Sequence, residues 1–102
     1  MSEGVMFVVQ VEHAVPEYEA WKREGFDRDP IGRERAGVRR YRVLRAGEGP
    51  ALVAVELEFD DRAAAESFAA TLEEMWRRVQ GRFGWRELPQ ARLFELAEVG
   101  EY

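Results

Sequence analysis

His13 is the only histidine of the chain and stands where the first apolar segment gives way to a helix signal. An imidazole at a strand end beside a cleft can act as a general base or bind an anionic group. The bland alternative is a half-exposed loop histidine bonded to backbone. Five large aromatics, Tyr18, Trp21, Tyr41, Phe68 and Trp76, can meet between helices and sheet. Such a set can line an apolar pocket, or it can be plain core, since large aromatics dominate core packing. Phe68 and Tyr18 read as core. Trp21 and Trp76 fit either role, because each indole N–H needs a partner or a wet cleft. A third group is the basic run of Arg39, Arg40, Arg42 and Arg45. A guanidinium grips a carboxylate in a two-pronged way, so this run can receive an anionic ligand. Ion pairs with Glu56 and Glu58 are its simpler use.

Other chemistries lack their residues. There are no cysteines, which removes disulfides, thiolate metal sites and cysteine nucleophiles. Ser2 and Ser67 are the only serines, and no glycine-rich phosphate loop occurs. With one histidine, neither a metal nor a cofactor is expected. The net charge of −5 argues against nucleic acid or an anionic membrane as partner. No apolar run approaches the roughly 18 residues of a membrane span, and no signal peptide opens the chain, so a cytoplasmic location is expected. Lys22 is the only lysine and asparagine is absent, which fits either heat adaptation or a GC-rich genome.

The elements that must position these residues follow from periodicity. Residues 5–12 (VMFVVQVE) form the first strand, with Val5, Phe7, Val9 and Val11 on one face and Met6 and Val8 on the other. Proline at 16 opens a helix over residues 16–25, with Tyr18, Trp21 and Phe26 along its apolar stripe. Asp29-Pro30 signals a short helix or turn over 30–36, closed by Gly37 as a C-terminal cap. Strand two over 38–45 and strand three over 51–59 form a hairpin around Ala46-Gly47-Glu48-Gly49-Pro50. Asp60 or Asp61 caps a second long helix over 62–79, in which Ala65, Phe68, Leu72, Met75, Trp76 and Val79 recur at helical spacing and Gly81 is the stop. Residues 82–90 read as a connection or a lid. Strand four covers 91–99, with Phe94 and Leu96 on one side and Leu93, Glu95 and Ala97 on the other.

A chain of 102 residues with 46% hydrophobic and 34% charged residues suits one domain with a modest core. The order β-α-β-β-α-β predicts an α+β, ferredoxin-like sandwich: a four-stranded antiparallel sheet with two helices on one face. The helices should cover Phe7, Tyr41, Val55, Phe59 and Phe94. The other face would show Met6, Val8, Leu52, Ala54 and Leu93, bordered by Arg40, Arg42, Glu56, Glu58 and Glu95. A tight hairpin would set Arg40 beside Glu56. An apolar face of that size predicts a homodimer with sheets packed face to face.

The segments FVVQVEH, VPEYEAWK, GVRRYRV, LVAVELEFDD and AAAESFAATL together resemble the dimeric α+β barrel superfamily. Its members include antibiotic biosynthesis monooxygenase-like and stress-responsive α+β barrel proteins. The resemblance covers nearly the whole chain and implies a ligand cleft between helices and sheet. The monooxygenase and haem-degrading branches rely on an asparagine acting with a tryptophan, and haem degraders on a histidine of the second helix. Neither set transfers to this chain, which has no asparagine and carries Trp76 but no histidine on that helix. The expectation is a small-molecule-binding protein or a cofactor-independent enzyme, monooxygenase-like or isomerase-like, acting on a hydrophobic aromatic or quinone-like compound. His13 would be its catalytic group and Trp21, Tyr41 and Trp76 would bind the ligand. The alternative is a non-catalytic dimeric barrel with a structural or stress-related role.

Overall fold

A computed structural model describes residues 5–49, 51–83 and 89–102, with residues 81–83 described in backbone only. Strand β1 (Phe7–Ala14) leads into helix α1 (Tyr18–Glu24), a 3-10 turn (Phe26–Arg28) and the single-turn helix α2 (Arg33–Ala36). The hairpin of β2 (Val38–Arg45) and β3 (Leu52–Phe59) follows, then the long helix α3 (Arg62–Phe83) and β4 (Gln90–Glu95). The strands form one antiparallel sheet in the order β2-β3-β1-β4, so both crossovers carry helix to one side, as the element order predicts.

Alternation along the strands sorts the residues between two faces. Val9, Val11, Val53, Val55, Leu57 and Phe59 lie on the helix side and are buried. Against them α3 sets Ala65, Phe68 and Trp76; Phe68 meets Phe59 with ring centroids 5.5 Å apart. The Asp61 carboxylate caps α3 by accepting the Ala64 N–H at 2.9 Å, while Asp60 turns outward to Arg39. Gly37 closes α2 at φ 109°, where an added Cβ would sit 3.3 Å from the Ala64 Cβ, so glycine is required there.

Several boundaries move from the sequence reading. Strand β1 begins two residues later and runs on through His13, because Ala14 still pairs with Leu52 and Val15 N–H donates to the Ala51 carbonyl. Helix α1 is shorter than expected, and the 3-10 turn takes Phe26 out of it. The Asp29-Pro30 signal does not start a helix: Asp29 sits at φ 50° and its carboxylate accepts the Arg33 N–H, so α2 begins at Arg33. Strand β3 opens at Leu52. Helix α3 passes Gly81 as far as Phe83, since a glycine ends a helix only where the following chain turns away. Within 82–90 the expected connection falls mostly at 84–88, outside the described residues.

The largest correction concerns β4, which ends at Glu95 and has the opposite phase. Leu93 pairs with Val9 on the helix side, and Phe94 pairs with Val8 on the open side. Glu95 accordingly shares the face of Phe7. Leu93 and Phe94 are both apolar, so periodicity alone cannot choose between them; the register against β1 does. The hairpin register is also shifted by one pair of residues. Arg40 bonds Glu58 at 2.9 Å and Arg42 bonds Glu56, whereas an Arg40–Glu56 pair is not formed. The open face therefore carries Met6, Val8, Leu44, Leu52, Ala54 and Phe94, crossed by a polar row of Arg42, Glu56 and Gln10. Glu56 is held below the ordinary carboxylate range by the Arg42 guanidinium and then by the Gln10 amide.

Candidate functional site: the aromatic row between helix α1 and strand β2

The two halves of the helix layer differ in packing. Helix α3 is anchored by buried residues, whereas α1 has none. Its Tyr18 and Trp21 are half-buried, and they form one end of a row of rings. Tyr18 lies 5.8 Å from Trp21, Trp21 lies 5.5 Å from Phe26, and Phe26 meets Tyr41 edge-on at 5.0 Å. These are the separations at which offset or tilted rings attract. Tyr41 projects from the helix side of β2 opposite Leu57, yet remains 44% exposed. The row thus runs from α1 through the 3-10 turn to the edge strand, half-buried at Tyr18, Trp21 and Phe26 and exposed at Tyr41.

Cations sit on this row. The Arg33 guanidinium stacks on Phe26 at 3.8 Å and approaches Tyr41 at 5.1 Å. It is held there by the Phe26 carbonyl, which accepts from Nη1 at 2.8 Å, and by Asp29 at 3.6 Å. Lys22, paired with Asp27, lies 5.4 Å from the Phe26 ring. Arg45 covers the other end, 4.2 Å above the Tyr18 ring. An arginine on a ring face is attracted by the ring quadrupole.

His13 occupies the same side of the sheet. It pairs with Val53, which pairs with Arg45 on its far side, so the three form one cross-strand row. Burial lowers the imidazole from its ordinary pKa of 6.5, which keeps it neutral near pH 7 and able to accept a proton. Chemically the arrangement offers a row of mutually tilted rings, guanidinium groups at both ends and one imidazole.

The five aromatics singled out from sequence do not form one set. Trp21, Tyr18 and Tyr41 belong to the row. Phe68 stacks on Phe59 in the core, and Trp76 is only 6% exposed in that same core. Phe26, which the sequence places on the same apolar stripe, and Arg33 complete the row; for Arg33 the Asp29–Arg33 spacing of four was the available signal. Of the basic run, Arg40 and Arg42 are ion-paired to Glu58 and Glu56, as the simpler use implies, and Arg39 pairs instead with Asp60. Among the described residues no group of three or more histidine, aspartate or glutamate side chains could hold a metal ion. No described helix is long and apolar enough to cross a membrane. Two surface grooves lie elsewhere: one of about 730 Å³ by Gln10, Glu12, Glu73, Arg77, Gln90 and Arg92, and one of about 430 Å³ over Asp29–Arg35. Neither includes His13, Trp21, Tyr41 or Trp76.

Among solved structures, a dimeric ferredoxin-like protein from an uncultured marine organism is similar to this chain over 98% of its length and 100% of the other chain, with a TM-score of 0.61 and 16% identity. The fold is ferredoxin-like. No protein-family model matches the sequence, and no curated protein matches it. The likeness in structure extends to the path of the backbone and carries no site.

A neutral imidazole that burial protects gives the fold a defined pH dependence. The unfolded chain binds His13's proton near pH 6.5 and the folded chain only at lower pH. Its contribution to stability is therefore complete above pH 6.5 and is lost as pH falls through the lowered value. Between about pH 7.5 and about pH 5.5 the melting temperature of the wild type should fall further than that of His13→Gln, by thermal unfolding followed in the far-ultraviolet. Parallel falls in the two proteins would show that His13 does not titrate differently on folding.

Proposed function

We propose that this chain is a small-molecule-binding member of the dimeric α+β barrel superfamily, acting as a homodimer. Each subunit would take a planar, hydrophobic aromatic or quinone-like compound between α1 and β2. The observation that carries the reading is the half-exposed row Tyr18, Trp21, Phe26 and Tyr41, joined to an α1 that buries no residue. Rings already at stacking distance, beneath a weakly anchored helix, can admit another ring at low cost. Trp21 and Tyr41 would form the binding surface. His13, neutral and on the same face, is the group able to accept a proton from the bound compound. The homodimer is supported by the exposed Leu44, Leu52 and Phe94 of the open sheet face and by the dimeric neighbour in fold. The polar row across that face suits a two-fold contact, because it carries both signs of charge.

A second reading, a non-catalytic barrel with a structural or stress-related role, draws support from Trp76. That residue is core, and the remaining rings satisfy one another. Binding separates the two readings. With naphthoquinone, naphthol and porphyrin probes, the first predicts saturable quenching of tryptophan emission by the two-ring compounds. Trp21→Ala should weaken that binding by roughly three- to tenfold in equilibrium dialysis. No saturable response to any probe would favour the structural barrel.

The assembly is tested separately. Sedimentation equilibrium at about ten micromolar should give twice the chain mass, and Phe94→Asp should give a folded single chain, since a buried unpaired carboxylate is costly. A wild-type mass of one chain would contradict the dimer.

A further inference from the structure

We infer that the compound taken between α1 and β2 is an anion, an aromatic carboxylate whose carboxyl group is received by Arg45. The inference rests on the small-molecule reading above and assigns its ligand class. It starts from how differently the arginines of β2 are used. Alternation puts Arg40 and Arg42 on the open face, where Glu58 and Glu56 occupy their donors. Arg39 is occupied by Asp60. Arg45 lies on the helix side, in line with Tyr41 and Val43, and alone of the four it forms no ion pair with any described carboxylate.

Its guanidinium is nevertheless placed. Its Cζ lies over the Tyr18 ring, 4.2 Å from the centroid, where the ring quadrupole attracts the charge. A guanidinium carries five N–H donors, and a contact with a ring face spends none of them on an oxygen acceptor. Among the described residues no acceptor takes them. A carboxylate is the group whose two oxygens match two parallel donors.

The surroundings fit the rest of such a molecule. From Arg45 the helix side of β2 passes Val43 to Tyr41, roughly 13 Å at the rise of a strand. Tyr18 and Trp21 of α1 lie along the same stretch. A two-ring aromatic with its carboxylate on Arg45 would reach Trp21 without needing the Arg33 end, where Asp29 already neutralises the charge. His13, across Val53 from Arg45, stands at the carboxylate end of the site rather than at the ring end.

The test is titration calorimetry with 2-naphthoate and its uncharged isostere 2-naphthamide, on the wild type, Arg45→Gln and Arg45→Lys. The wild type should bind naphthoate about tenfold more tightly than naphthamide, the scale of a charge-assisted bond at a partly exposed site. Arg45→Gln should remove that preference by bringing naphthoate to about the affinity of naphthamide, and Arg45→Lys should restore part of it. Arg42→Gln, altered on the opposite face, should behave as wild type. Equal binding of the two probes, or a preference that survives Arg45→Gln, would overturn the carboxylate assignment and leave the aromatic site standing. Failure of both probes to bind the wild type would overturn the site itself. Circular dichroism of each variant confirms that lost preference is not lost folding.

Discussion

The contact of Phe68 with Phe59 is the interaction on which the rest of the structure depends. Phe59 is fully enclosed, as is Val9 on the neighbouring strand of the same layer. Once α3 seats on these residues, the side chains of β1 and β3 have their faces assigned. Slipping either strand by one residue would carry its valines to solvent and its glutamates into the core. Every later placement, including which arginines meet glutamates and which one meets Tyr18, follows from that register.

The same register leaves the helix layer uneven. Helix α3 runs for 22 residues and packs across β4, β1 and β3, while α1 has seven and covers the β2 side only through its rings. An element with few buried apolar contacts opens at small cost, which is the property expected of a segment that admits a ligand. The arginines around it reinforce the point. Arg33 is tied down by a carboxylate and a backbone carbonyl, so it braces the row. Arg45 is oriented but not neutralised. On the proposed reading, structure and recognition are divided between these two guanidiniums at opposite ends of one row of rings.

Much of the fold was legible in the sequence because its strongest signals are one-sided. The spacing of Ala65, Phe68, Leu72 and Trp76 fits only a helix, and β2 was located at both ends, since Gly37 and the glycine-rich hairpin bound it. The phase of β4 was not legible: Leu93 and Phe94 are adjacent apolar residues, and only pairing with Val9 and Val8 decides which turns inward. The candidate site was legible in part. Trp21, Tyr41 and His13 do share one side of the sheet. Trp76 does not join their ring row, because its position on α3 faces the core. Phe26 was legible beside Tyr18 and Trp21 as part of one apolar stripe, but its place in a separate 3-10 turn was not, because so short a turn has no apolar period of its own.

The central claim is that an aromatic surface around Trp21, and not the tryptophan of the core, receives a small molecule. The most direct measurement is fluorine NMR of protein labelled with 5-fluorotryptophan, assigned through Trp21→Phe and Trp76→Phe, during titration with 2-naphthoate and a naphthoquinone. The account predicts that the Trp21 resonance moves saturably while that of Trp76 stays in place. Movement of Trp76 with a stationary Trp21, or no movement of either, would contradict it.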